Sequence, residues 1–312
     1  MFEDLLNATI IVNIFSSMVR LSTPLLLAAV GEVVVERSGV MNMGVEGMML
    51  MGAFIGFFVT YNTGGLWLGI LSAVVAGGLM ACLLAFMSIT LRVDQTVTGL
   101  ALNLFSSGMT LFIFRALYGD TETVKTIETF SPAPIPLLSN IPYLGKILFS
   151  QRLITYIAFL FIPLVAIFLK HTKMGLAIRS AGENPHAVDT QGLKVNGIRF
   201  WAVIFGGAMA GLAGAFLTNG ISSRFVPGMT GGRGWLAIII VIAGNWQPIR
   251  MLAATLLFAF LNAFQFTLQG TGTDIPFQLL LAMPYIVALL VLMSQRMRSR
   301  MPASLGIPYT KE

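Results

Sequence analysis

The run KHTKMGLAIRSAGENPHAVDTQGLKVNGIR, Lys170 to Arg199, is a polar stretch set between two apolar segments that are each long enough to cross a bilayer. Apolar or small residues at Met174, Ala177, Ile178 and Ala181 recur at the spacing of one helical face, which predicts a short helix. Gly182-Glu183-Asn184-Pro185 ends it and starts another, because the Asn184 side chain can cap a helix whose first residue is Pro185, where a missing N–H does no harm. Gly192 closes this second helix after about two turns. The expectation is a fixed corner of two short helices, with Arg179, Glu183, His186 and Asp189 facing outward and Lys170, Lys173, Lys194 and Arg199 flanking it. Judged by charge alone, the run is a solvated connector; judged by shape, it is a rigid knuckle suited to docking onto another protein.

The segments on either side set the class. Of 312 residues, 56% are hydrophobic and only 10% are charged, against about 25% charged in an ordinary soluble domain. The apolar runs are about 20 residues long and do not alternate, and lipid leaves no backbone group unpaired, so the spans are helices and a barrel is excluded. The fold class expected is all-α, a polytopic transmembrane helical bundle forming one transmembrane domain over residues 1–312. The formal charge of +6 is scattered among apolar runs and builds no basic-aromatic surface, which argues against nucleic acid. Cys82 lies alone in an apolar run, so no internal disulfide is available. MFEDLLNATI carries Glu3 and Asp4 where a signal peptide needs positive charge, and no cleaved leader is expected.

Moving outward from the knuckle, spans are expected at about 18–35, 41–61, 66–91, 97–118, 153–169, 200–218, 235–243, 251–267 and 277–293. That makes about nine crossings, with eight or ten open. Arg20 and Pro24 leave open whether a surface helix precedes the first span, and the Trp235 segment is short enough to be a broken helix. Residues 119–151, with Pro132, Pro134, Pro136 and Pro142, form an irregular extracytoplasmic loop. The excess of basic residues places the knuckle, 170–199, and the basic tail, 295–312, in the cytoplasm. GMMLMGAFIGFFVTYNTGG echoes FGGAMAGLAGAFLTNGISS, which leaves a four-helix internal repeat pairing residues 44–170 with 200–294 open; transporters often hold solute between such repeats, beside discontinuous helices.

A few polar residues fall inside the spans. Glu46, beside Asn42, Gly44 and Gly47, carries a carboxylate whose burial costs roughly 2.5 to 3.5 kcal/mol or more unless it is paired, protonated or wet. It is either a wall residue of a translocation path or an anchor that reaches headgroups or a helix N-terminus. Glu32, nearer a span end, is expected to be an anchor. Asn103 and Gln265 either join helices or contact a polar solute. Trp235 and Trp246 bracket the short seventh span as interfacial belt residues, with Trp235 alternatively stacking on a base or sugar. The small-residue runs Gly206–Ala215 and Ala73–Gly78 predict close helix packing. His171 and His186 lack the grouping of a metal site, and no phosphate-cradling GxxxxGK[ST] occurs.

GLAIRSAGENPHAVDTQGL resembles the cytoplasmic coupling loop of ATP-binding-cassette importer permeases in the branched-chain amino acid, simple-sugar and nucleoside family, and Gly31–Phe54, GEVVVERSGVMNMGVEGMMLMGAF, is similar to the N-terminal signature of its nucleoside and simple-sugar members. The two matches stand far apart, so the resemblance covers nearly the whole chain. It implies that Arg179, Gly182, Glu183, Asn184, Pro185, Ala187 and Gly192 fall on the motif that couples to an ATPase. It also implies a non-enzymatic transport subunit in a bacterial plasma (inner) membrane, in contact with lipid and working with an ABC ATPase, a second identical or homologous permease, and an extracytoplasmic binding lipoprotein or periplasmic protein. ATP and Mg would sit on the ATPase, and this chain would carry no cofactor. The cargo implied is a nucleoside, with simple sugars, branched-chain amino acids and a flavin open. An ion-coupled secondary transporter is the rival, but it would need buried charges along its path, and here they are sparse. Asn42, Glu46, Asn103, Trp235 and Gln265 are the residues expected along a solute pathway.

Overall fold

The computed structural model describes residues 8–119, 125–270, 276–295 and 300–310. Glu3 and Asp4, the start of the loop after Gly119, and most of the basic run after Gln295 lie outside the described residues. Among those described the chain is helical, with one isolated strand-like pairing between Pro132 and Arg152. Among the described residues seven helices are long and apolar enough to cross a membrane, and two shorter apolar helices, Arg233–Ala243 and Gln278–Met293, join them. The chain is therefore a multi-pass helical bundle.

Helix α1, Ala8–Arg37, runs unbroken through Pro24, so the separate surface helix left open by the sequence does not form. From Leu25 to Val35 it is apolar on every side but for Glu32, because it stands inside the bundle, buried nearly all round. The next three helices in the chain are α2, Val45–Thr63; α3, Leu66–Ala85, prolonged by one wide turn, Phe86–Thr90; and α4, Gln95–Tyr118. After the long loop that follows α4, with its short α5, Leu144–Leu148, come α6, Leu153–His171, and the two knuckle helices α7, Lys173–Glu183, and α8, Pro185–Thr190. Next is α9, Val195–Ala215, whose last turns widen over Phe216–Ser222. The short α10, Arg233–Ala243, is followed by α11, Pro248–Gly270, and α12, Phe277–Gln295.

The centre of the bundle is a slab in which backbone meets backbone. A methyl placed on Gly52 would lie 2.4 Å from the Gly211 carbonyl oxygen, one on Gly77 would lie 2.2 Å from that of Gly207, and one on Gly214 would lie 1.8 Å from that of Met49. The small-residue stripe of α9 is thus in close contact with both α2 and α3, as helices in lipid require when no hydrophobic drive pulls them together. The two stretches noted for their echo lie in α2 and α9, directly against each other.

At the end away from the knuckle, a plug of rings fills the space above α2 and α4. Phe225 meets Phe54 edge-on at 5.2 Å and Phe114 at 5.4 Å, while Tyr118 meets Phe114 at 5.2 Å and Tyr61 at 5.6 Å. Asn219 donates to Thr60 at 2.6 Å beside this plug, and its backbone carbonyl accepts from Phe130 N–H of the long loop after α4 at 2.9 Å.

Candidate functional site

The knuckle forms where the sequence places it. Thr172 caps α7 by accepting from Gly175 at 3.0 Å, and Asn184 Oδ1 caps α8 by accepting from Ala187 at 3.1 Å, with Pro185 as its first residue. Gly192 turns the chain out of α8 with φ +76°, a left-handed conformation that favours glycine. Glu183, His186 and Ala187 are exposed, whereas Arg179 and Asp189 are only half-exposed and the Arg179 Nε is buried. Met174 departs from the expected buried face: it is exposed, and Gly175, Ala177, Ile178, Ala181 and Gly182 are the buried residues of α7. The reason is local: α7 lies so close to the end of α6 that a methyl on Gly175 would sit 2.0 Å from the Phe168 carbonyl oxygen, which rotates Met174 outward.

Three contacts hold the knuckle in place. Gly182 sits so close to α1 that a methyl there would lie 2.3 Å from the Arg37 carbonyl oxygen. Arg199, expected as a flanking surface charge, is instead buried, and its guanidinium donates to the carbonyls of Ser38 (3.1 Å), Ile307 (2.8 Å) and Ala181 (3.3 Å). Residues 300–310 cross the knuckle as a strap: Ser304 N–H donates to the Gly182 carbonyl at 2.8 Å, and Tyr309 packs on His186 with ring centres 5.2 Å apart. Glu183 lies 3.9 Å from Arg37 and accepts from Ala303 N–H at 3.4 Å.

Deeper in the bundle, a cavity of about 480 Å³ opens between α2, α4 and the chain entering α10, and Glu46, Asn103 and Trp235 all line it, with Ser107 and Thr230. Asn103 lies eight residues into α4, which at about 1.5 Å per residue is about 12 Å from that helix's knuckle end and near the middle of a ~30 Å hydrocarbon core. Each wall residue is held. Glu46 accepts from Gly232 N–H at 2.8 Å and from Gly234 N–H at 2.6 Å, so its carboxylate closes the N-terminus of α10, where the dipole favours negative charge. Asn103 accepts from Gly47 N–H at 2.7 Å and donates to the Met43 carbonyl at 2.7 Å, tying α4 to the start of α2. Glu46 thus serves as both helix anchor and cavity wall, and Asn103 as both helix tie and cavity wall.

The other two residues expected along a pathway do not line this cavity. Asn42 is buried, donating to Glu32 at 3.0 Å and accepting from Gly44 N–H at 3.1 Å. Gln265 is buried in α11, outside the lining. Glu32 is 1% exposed, so it is not a headgroup anchor, and Trp246 is buried against Glu36 rather than lying in an interfacial belt. A second, larger cavity of about 570 Å³ between α6 and α9 is lined, Lys194 apart, by apolar residues and offers a hydrophilic solute nothing to bond. Ser107, Thr230 and the 300–310 strap had no sequence signal of their own, because single hydroxyls and irregular chain carry no periodicity.

Residues 14–294 match the family described as the permease component of the branched-chain amino acid transport system. The chain belongs to that family. This permease is 38% identical over 299 residues to NupQ of Bacillus subtilis, a guanosine ABC transporter permease protein, covering 93% of this chain and 94% of that one. It is 32% identical over 308 residues to NupC of Lactococcus lactis, a nucleoside ABC transporter permease protein, covering 96% of each. Over 270 residues it is 40% identical to TsgC13 of Haloferax volcanii, provisionally described as a glucose ABC transporter permease protein, covering 85% of this chain and 78% of that one. No solved structure matches it at a significant level.

Proposed function

We propose that this permease is the membrane subunit of an ATP-driven importer in a bacterial plasma membrane, that the knuckle seats a separate ATPase on the cytoplasmic side, and that a nucleoside passes through the cavity walled by Glu46, Asn103 and Trp235. The carrying observation is the cavity itself: at mid-depth, beside the interrupted start of α10, a half-buried indole faces hydroxyl and amide groups. An indole offers a stacking face to a base, and Ser107, Thr230 and Asn103 offer partners to ribose hydroxyls. Relatives named for guanosine and nucleosides at nearly full length support the same cargo. The glucose relative favours a sugar as the second reading, since the same hydroxyls serve either ligand.

Leu100 and Leu104 of the lining stand on an exposed face of α4, so the cavity opens sideways, which supports a second permease completing it. An extracytoplasmic binding protein hands over the cargo at the ring-plugged end. ATP and Mg stay on the ATPase, and alternating access follows from its push on the knuckle. Uptake of labelled guanosine and of labelled glucose by vesicles holding the whole complex tests the proposal. Guanosine uptake should vanish when the ATPase is inactivated. Uptake that persists on an ion gradient alone sinks the ATP-driven reading, and uptake of glucose alone sinks the cargo. Glu183→Arg should weaken co-purification of the ATPase while leaving membrane insertion intact; unchanged co-purification removes the docking role.

A further inference from the structure

Helix α10 reads RGWLAIIIVIA, eleven residues dominated by branched side chains that stiffen a helix surface packed on α1, α2, α11 and α12. At about 1.5 Å per residue it spans about 16 Å, half of a bilayer core, with one end at the cavity and the other at the knuckle. Both ends are tied by side chains. At the cavity end, the Glu46 carboxylate holds Gly232 and Gly234. At the knuckle end, Arg37 donates from Nε and Nη2 to the Trp246 carbonyl at 3.1 and 3.0 Å, the Trp246 indole donates to Glu36, and Asn245 Oδ1 accepts from Arg300 N–H at 2.7 Å. Asn245 and Trp246 stand at φ +54° and +55°, consecutive left-handed residues that are neither glycine nor exposed. Such a pair is held by its surroundings, not chosen by its own preference.

Arg37 is the hinge of this connection, because its third nitrogen faces Glu183 on the knuckle while the other two hold Trp246. The 300–310 strap repeats the link, touching Gly182 with Ser304 and Asn245 with Arg300. We propose that α10 is a rod that carries displacement of the knuckle to the wall of the solute cavity, with Arg37, Asn245 and Trp246 as positioning residues that fix its knuckle end. This deepens, and rests on, the reading of the chain as an ATP-driven importer. A shift of Glu183 and Gly182 moves Arg37 and the strap, these move the end of α10, and the rod moves Gly232 and Gly234 against Glu46. The cavity mouth beside Trp235 then opens or closes without any change in the slab of α2, α3 and α9.

The test uses the whole complex in vesicles with the double variant Asn245→Gly/Trp246→Phe. Glycine adopts the left-handed backbone without strain but lacks the acceptor for Arg300, and phenylalanine keeps a ring but lacks the donor to Glu36. Two readouts are taken: solute imported per ATP hydrolysed, and the nucleotide-driven change in distance between spin labels at Phe105→Cys on α4 and Val226→Cys on the chain entering α10, in a Cys82→Ser background. The expected result is that the ATPase still co-purifies and hydrolyses ATP while import per ATP falls about tenfold, the factor that goes with losing two hydrogen bonds, and the distance change disappears. Import per ATP and distance change at the parental level overturn the rod. If the double variant does not assemble, Asn245→Gly alone carries the same expectation at about threefold, for the single bond it loses. Absence of ATP-driven uptake in the parental complex is a different failure, which overturns the importer reading and this inference together.

Discussion

Arg199 shows how little a charged residue's identity says about its place. Read from the sequence, it is one more basic residue at a span end; in the fold it is 2% exposed, and its planar fork reaches three carbonyls from the turn after α1, the end of α7 and the strap. Lysine carries the same charge on a single point and cannot span three acceptors. Arg199→Lys should therefore leave buried carbonyls unpaired and lower stability by about 1 to 3 kcal/mol, read as a lower thermal midpoint of the detergent-purified protein. A midpoint equal to the parent's would remove Arg199 as the tie. Glu46 is the opposite case: its cost in lipid drew attention from the sequence, but its partners, the N–H groups of Gly232 and Gly234, lie almost two hundred positions away and leave no trace near it.

Legibility follows range in the chain. The knuckle was readable because caps and breakers act over three or four residues: Asn184 before Pro185 and Gly192 after α8. Span positions were readable because length and hydropathy are local sums. Met174 was misplaced because periodicity finds a face without saying how closely the helix next door approaches. Trp246 was misread for a similar reason, since only the fold brings it to Glu36. Asn103 and Trp235 were picked out by type, yet their meeting in one cavity is a tertiary fact. Gly192 gives this scale its prediction. Its Cβ position is open space, but its φ of +76° strains any other residue, so Gly192→Ala should cost about 1 to 2 kcal/mol and loosen the exit of α8. Faster limited proteolysis at the knuckle would register it, and an unchanged cleavage rate would count against a rigid corner.

At the scale of the molecule the two ends are built differently. The knuckle end is knit by buried hydrogen bonds around Arg199, whereas the far end is filled mainly by aromatic edges and faces, with the Asn219–Thr60 hydrogen bond beside them. A resting barrier at the ring plug is the expectation that follows from this contrast. Phe225→Ala deletes the ring shared by Phe54 and Phe114, and vesicles carrying this variant should leak small solutes without ATP; vesicles as tight as the parent's would place the barrier elsewhere.

The glycine seam of the central slab also has a history. During synthesis α2 and α3 are made well before α9, so Gly52, Ala73 and Gly77 present a flat strip to acyl chains until the last partner is threaded in. A chain stalled or cut between α4 and α8 keeps that strip uncovered, which would give membrane quality control a physical mark by which to tell a half-made permease from a finished one.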